Sequence, residues 1–265
     1  DKDKEIDVLL FSGHKTYAPG SPGVVIARKS FLNAIEPEDV GGGMVDKVYP
    51  DNYFVTKKFP DREEAGTPNI LGAITLGASI HVLDTIGMEN ILEEDKNLIQ
   101  YTMNQLKKYK EVHIYGDTDI NNCPRAGTIS FNILNMDHGL VAAILNDYFN
   151  IAVRNECFCA HPYVEKMLHM THKEELEQLD CLDDHLTWKV EPWMGMVRAS
   201  MGLYNTKEDI DILIAALSNI IQNKEKFSNE YIINEDGDYQ HKSFTFSSKD
   251  FFSLTGTIDQ DIVSK

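Results

Sequence analysis

Ile6-Asp7-Val8-Leu9-Leu10-Phe11-Ser12-Gly13-His14-Lys15 decides how this chain is read. An apolar run closes in a polar, glycine-containing turn, and a lysine stands at its tip. A second glycine motif, Gly20-Ser21-Pro22-Gly23, leads into another apolar strand, Val24 to Ala27. A lysine amine among small residues that bare their backbone N–H groups can form a Schiff base with an aldehyde, while hydroxyl and N–H donors hold an anion. The pattern suits a covalently held cofactor with a phosphate. The same residues also describe a surface hairpin that ends in a solvated lysine.

Around that stretch, 265 residues suffice for one large domain or two, and 42% hydrophobic with 9% aromatic content is that of a globular chain. The net charge of -17 disfavours non-specific binding to nucleic acid or an anionic membrane, although a few arginines in a cleft still allow an anionic ligand. No apolar run approaches the roughly 20 residues that cross a bilayer. The charged start, Asp1-Lys2-Asp3-Lys4-Glu5, runs straight into a strand and predicts no signal peptide; it lacks an initiator methionine, as a processed or truncated product would. Cys123, Cys157, Cys159 and Cys181 are too irregular for a disulfide scaffold, so a reduced cytoplasmic or organellar interior is expected.

Residues 6–11 and 23–28 read as strands, Gly41-Gly42-Gly43 as a turn and 45–59 as a short hairpin. Arg62 to Asn69 is a loop before a small-residue helix from Ile70 to about Ile86, and Met88 to Tyr109 repeats apolar residues at helical spacing. Strands follow at 112–115, 128–134, 151–154 and 196–200, with helices at 137–149, 162–170 and 209–221. Asp137 is a fair N-cap, and Thr206 with Asp209 has the spacing of a capping box. The expected architecture is α/β and α+β: residues 1–87 as part of a large domain, 88–225 as a small α+β domain, and 226–265 as an acidic, polar tail with one short strand at Ser243 to Phe246. The first region has too few strands to cover both faces of a parallel sheet and reads as part of a domain.

Cys159 lies in Arg154-Asn155-Glu156-Cys157-Phe158-Cys159-Ala160-His161-Pro162, between a predicted strand and helix, where His161 or Arg154 can favour a thiolate. Burial as small residues is the plainer alternative for Cys157 and Cys159. A metal held by these cysteines and His161 lacks the second half of a known zinc spacing, and none is expected. Arg198, at a strand end among small neighbours, suits bidentate capture of a carboxylate; a surface salt bridge is the alternative, for Arg154 as well.

Together these motifs resemble the class V aminotransferases, pyridoxal-phosphate enzymes of fold type I. Phe11 to Lys15, followed by Tyr17-Ala18-Pro19-Gly20 and Gly23-Val24, is similar to the family's lysine signature. Glu64-Ala65-Gly66-Thr67-Pro68-Asn69 resembles the loop that follows, and Gly41-Gly42-Gly43 its glycine turn. Val153-Arg154 with Cys159-Ala160-His161-Pro162, then Val197-Arg198-Ala199-Ser200 with Tyr204-Asn205-Thr206, resembles SUF-type cysteine desulfurases and selenocysteine lyases.

The resemblance implies a partial large cofactor domain followed by a small α+β domain. It implies that Lys15 binds pyridoxal 5'-phosphate as a Schiff base and moves protons, that Ser12 and His14 contact the phosphate, and that Thr67 reaches the phosphate of the other subunit of a homodimer. Arg198, with Arg154 nearby, would bind the α-carboxylate of a small amino-acid substrate. Cys159 would take its sulfur as a persulfide, for delivery to a sulfur-acceptor protein. His161 and Glu156 stand where the family often has glutamine and glycine, and Cys157 is an additional thiol. The resemblance covers only the latter half of the family's chain. The half that would stack the cofactor ring and protonate its nitrogen is not matched, so the expectation is either a second chain that supplies it or a fragment whose family function belongs to its parent, with a packed dimer as a further alternative. Another class V reaction on an amino acid, or a non-catalytic dimerisation module, are the rival readings.

Overall fold

A computed structural model describes residues 6–123, 125–168, 195–235 and 237–244. The chain divides after Asn90 into two compact units.

The first unit opens with two antiparallel strands, β1 (Val8–Ser12) and β2 (Gly23–Ala27), paired Leu10 to Val25 at mid-length. A one-turn helix, α1 (Lys29–Leu32), precedes a second ribbon of β3 (Val45–Val48) and β4 (Tyr53–Val55). The long helix α2 (Ile70–Ile86) follows, capped by Asn69, whose side chain accepts from the Gly72 N–H. Apolar side chains surround α2 on every side, a pattern proper to a helix buried all round. Yet Gly72 and Leu76 are its buried residues, and Leu71 is 79% exposed. The ribbon is bare too: Leu10 is 68% and Val25 62% exposed.

The second unit carries the main core. Helix α3 (Met88–Leu106) leads to an antiparallel sheet of β5 (Val112–Ile114), β6 (Thr128–Ile133) and β7 (Val197–Ser200), with β6 in the middle. Strand alternation makes the core: Ile129, Phe131 and Ile133 point to one buried face, while Thr128, Ser130 and Asn132 point to the other. Against the buried face pack Leu140, Val141, Ile144 and Leu145 of α4 (His138–Phe149), with Leu213 and Leu217 of α6 (Lys207–Gln222). Asp137 caps α4 by accepting the Gly139 and Leu140 N–H groups at 2.7 and 3.2 Å. Asp209 accepts the Thr206 N–H at 2.9 Å, closing the capping box of α6. Between α4 and β7 lies α5 (His161–Leu168).

Two expectations differ from the structure. Residues 151–153 form no strand. Ile151 and Val153 pack on the core, but β7 already spends its length on β6, and Arg154 alone bridges to it. Where an acidic, polar tail is expected from residue 226, the described residues carry regular structure: α7 (Lys224–Glu230) runs into a hairpin of β8 (Tyr231–Ile233) and β9 (Tyr239–His241). Tyr231 and Phe227 belong to the core, which is why the segment folds. Of the strand expected at 243–246, Ser243 and Phe244 lie outside any strand and the rest falls outside the described residues.

Candidate functional site

β1 passes into a 3-10 turn, Gly13–Thr16, that carries His14 and Lys15, both exposed, over a buried Gly13. Ser12 is the last residue of β1. The turn is tightly held. Thr16 Oγ1 donates to the Gly13 carbonyl at 2.7 Å, the Ser21 N–H to the Ala18 carbonyl at 3.1 Å, and Ser79 Oγ of α2 to the Thr16 carbonyl. A Cβ on Gly13 would stand 2.3 Å from Ser21 Oγ and 3.1 Å from the Leu76 methyl groups, so only glycine fits between turn and helix. Asn69 Nδ2 donates to the Gly20 carbonyl at 2.8 Å, fastening the second glycine motif to the start of α2.

Thr67 is exposed on the loop before α2. The Gly66 N–H, at φ 81°, donates to the Gly42 carbonyl at 2.7 Å, so the glycine turn and the Thr67 loop meet. The buried Arg62 secures the same loop, donating to the Ile35 carbonyl at 2.6 Å and pairing with Glu36 at 3.3 Å.

Within the first unit the donor set fits a phosphate-bearing aldehyde: an exposed amine, a hydroxyl and an imidazole on one turn. The buried Ser21 hydroxyl beside it has no hydrogen-bond partner.

The second unit holds the thiol. The Ala160 N–H donates to the Cys157 carbonyl at 2.7 Å, closing a turn whose central residues, Phe158 and Cys159, have φ of 55° and 61°. These are the φ signs of a type I′ turn, a conformation that glycine and asparagine favour. Glu156, just ahead, is left-handed too, at φ 75°. Each such non-glycine residue costs about 1–2 kcal/mol. The surroundings impose it: the Met196 N–H donates to the Glu156 carbonyl at 3.2 Å, and Arg154 bridges to Arg198.

Cys159 is exposed, and Arg154 Nη2 donates to its Sγ at 3.4 Å. The Arg198 guanidinium lies over the Phe158 ring, 4.9 Å from its centre. Arg198 Nε is buried without a hydrogen-bond acceptor, an arrangement that fits a ligand carboxylate. Cys157 is half-buried, and burial, then Glu165 and Glu156, push its thiol up. The two thiols of the motif are therefore unlike. Arg154, Arg198 and Cys159 form one cluster. Lys15, Ser12 and His14 form another, with Thr67 on a neighbouring loop of the same unit.

The sequence reading gave no role to Phe158, Asn69 or His138. Asn69 carried a signal, standing directly before an apolar helix where an N-cap belongs. His138 stands at the first turn of α4, buried, with Nδ1 3.5 Å from Asn155 Nδ2. Among the described residues, no group of three or more His, Cys, Asp or Glu is placed to hold a metal ion, and no single helix is long and apolar enough to cross a membrane.

Comparison with known proteins bears on this arrangement. The sequence model of the family "Aminotransferase class-V" matches residues 2–213. The chain belongs to the class V aminotransferases. A relative named cysteine desulfurase, from Cronobacter sakazakii, is 33% identical over 216 residues, covering 82% of this chain and 46% of that protein. One of the same name from Escherichia coli K12 is 32% identical with the same coverage. The apo structure of a cysteine desulfurase from Thermococcus onnurineus superposes with a TM-score of 0.69 at 33% identity, over 84% of this chain and 48% of that one. The cysteine desulfurase CsdA of Escherichia coli gives 0.67 at 26% identity, over 83% and 47%. The chain thus spans about half the length of these class V relatives, and its mixed helices and sheets are those of their pyridoxal-phosphate-dependent fold.

Proposed function

We propose that this chain carries the latter half of a cysteine desulfurase-like enzyme, dependent on pyridoxal phosphate, that moves sulfur from L-cysteine to Cys159 and releases alanine. One observation carries the reading: in a chain 33% identical to a cysteine desulfurase, an exposed cysteine sits with its Sγ 3.4 Å from an arginine donor.

In this reading Lys15 holds the cofactor covalently, and Ser12 and His14 contact its phosphate. Thr67 reaches the phosphate bound by a second copy, making a homodimer. The bound cofactor supplies an electron sink that weakens the substrate carbon–sulfur bond. Arg198, with its free Nε, fixes the substrate carboxylate, and Arg154 lies beside the thiol. The Lys15 amine moves protons to and from the reacting carbons. Cys159 Sγ bonds to the substrate sulfur as the carbon–sulfur bond breaks. The electron pair stays with carbon, which takes up a proton to become the methyl group of alanine, and the enzyme keeps the sulfur as a persulfide. A sulfur-acceptor protein is the implied partner, in a reducing compartment, cytoplasmic or organellar.

The bare apolar faces of the first unit, with Leu10, Val25 and Leu71, support a further element of the reading. They are the surface that the rest of the large domain covers, supplied by a second polypeptide or by more of the same one.

The test uses the protein that carries this chain, supplied with pyridoxal phosphate and cysteine. Alanine and sulfide are expected in equal amounts in the presence of a reductant. Cys159→Ala should abolish sulfur release while the cofactor's visible absorbance persists, and unchanged sulfur release would overturn the assignment. Pyridoxamine phosphate in place of alanine would identify a transaminating class V reaction. A folded protein that takes no borohydride-stable label at Lys15 would be a non-catalytic module.

A further inference from the structure

The family match ends at residue 213, and the hairpin β8–β9 lies beyond it. Its packing has a direction. Tyr231 Oη donates to Asp147 at 3.0 Å, and Tyr148 Oη donates to Glu230 at 2.7 Å. His241 Nδ1 accepts the N–H groups of Ser243 and Phe244 at 3.2 and 3.0 Å. That leaves the proton of the neutral ring on Nε2, which lies 2.8 Å from Tyr148 Oη. Both ends of the hairpin are therefore tied to α4.

Tyr239, half-buried on β9, lies against the first turn of that helix. A Cβ on Gly139 would stand 3.2 Å from Tyr239 Cδ2 and 3.5 Å from Asn155 Nδ2, so ring and amide border the same space. Asn155 opens the cysteine loop and lies against His138. On the far side of His138, a Cβ on Gly195 would stand 2.5 Å from its Nε2 and 2.8 Å from Glu156 Cα. The layer runs from hairpin to helix turn to the left-handed residues ahead of Cys159.

We infer that Tyr239 is a positioning residue for the Cys159 loop, and that the hairpin past the family-matched region is the strap that keeps it in place. A loop with left-handed residues at Glu156, Phe158 and Cys159 persists only while its surroundings over-determine it. Tyr239 and Gly195 close the layer from opposite sides. Without the ring, Asn155 gains room to move, the loop relaxes, and Cys159 Sγ leaves the Arg154 donor. The chemistry is that of support behind a reactive group, so the inference deepens the proposed function and rests on it for its meaning.

Its test needs neither cofactor nor turnover, so it fails or succeeds separately from that reading. The rate at which iodoacetamide alkylates Cys159 is measured by mass spectrometry relative to Cys123, an exposed cysteine far along the chain, in the same sample. Tyr239→Ala should lower that ratio at least about threefold at neutral pH, while Tyr239→Phe, which keeps the ring, should restore it. A ratio unchanged in Tyr239→Ala, or lowered as much in Tyr239→Phe, overturns the inference. Where Tyr239→Ala does not fold, Tyr239→Leu, which removes the ring and keeps apolar bulk, gives the same readout. A lowered ratio there supports the strap, and an unchanged one overturns it.

Discussion

Arg154 and Arg198 face each other across an isolated antiparallel bridge, each N–H donating to the other's carbonyl, at 3.1 and 2.6 Å. Their backbones lock the start of the cysteine loop to the edge of the sheet. Their side chains then part: one guanidinium donates to Cys159 Sγ, and the other lies over Phe158. The Cys159 thiol and the Arg198 guanidinium, whose buried Nε has no acceptor, are held near each other by these two backbone hydrogen bonds.

Arg198→Lys keeps the charge and loses the planar fork that matches a carboxylate. Under the proposed function, KM for cysteine should rise about tenfold with kcat less affected, as steady-state kinetics of the complete enzyme would read. An unchanged KM would remove Arg198 from the substrate site.

Gly13→Ala forces a methyl group into the space of Ser21 Oγ and Leu76. Overpacking of this kind costs about 1–3 kcal/mol, to be read as a lowered urea midpoint. Under the proposed function, borohydride labelling of Lys15 should weaken in parallel, because the turn that carries it can no longer seat on α2.

His138 gives the fold a pH dependence. Burial holds its imidazole below the ordinary 6.5, with Asp137 and Glu156 opposing more weakly. The folded protein keeps the ring neutral while the unfolded chain takes up a proton as pH falls through 6.5. Stability is therefore full above that pH, falls from it down to the lowered folded value, and is flat below. Melting temperature should drop as pH falls below about 6.5, and His138→Gln should remove that part of the slope. A slope identical in the variant would assign it to other groups.

Phe131 is wholly buried at the centre of β6. Phe131→Ala should cost about 3–5 kcal/mol in urea unfolding of the second unit, with the slope m unchanged.

The sequence showed most of this because the chemistry repeats locally. Ile129, Phe131 and Ile133 alternate as a strand facing a core must, and Gly13 and Gly20 mark the turns around Lys15. The bridge at Arg154 was read as a strand because Ile151 and Val153 have strand composition; whether β7 had an edge to offer was a matter of tertiary pairing. The hairpin was hidden for a related reason. Tyr231 and Tyr239 fold there through contacts with Asp147 and Gly139, far away in the chain. The turn at Phe158–Cys159 gave no glycine signal, since its conformation is imposed by the neighbouring backbone rather than chosen by its own residues.

The uncovered helix α2 has a consequence for how this chain behaves in a tube. With 17 surplus negative charges, copies repel one another in dilute buffer. Added salt shortens that repulsion to about 8 Å at physiological strength, while the attraction between bared leucine and isoleucine side chains is untouched. Ionic strength therefore becomes the control on clumping, and light scattering should climb as salt is added until a complementary surface is supplied.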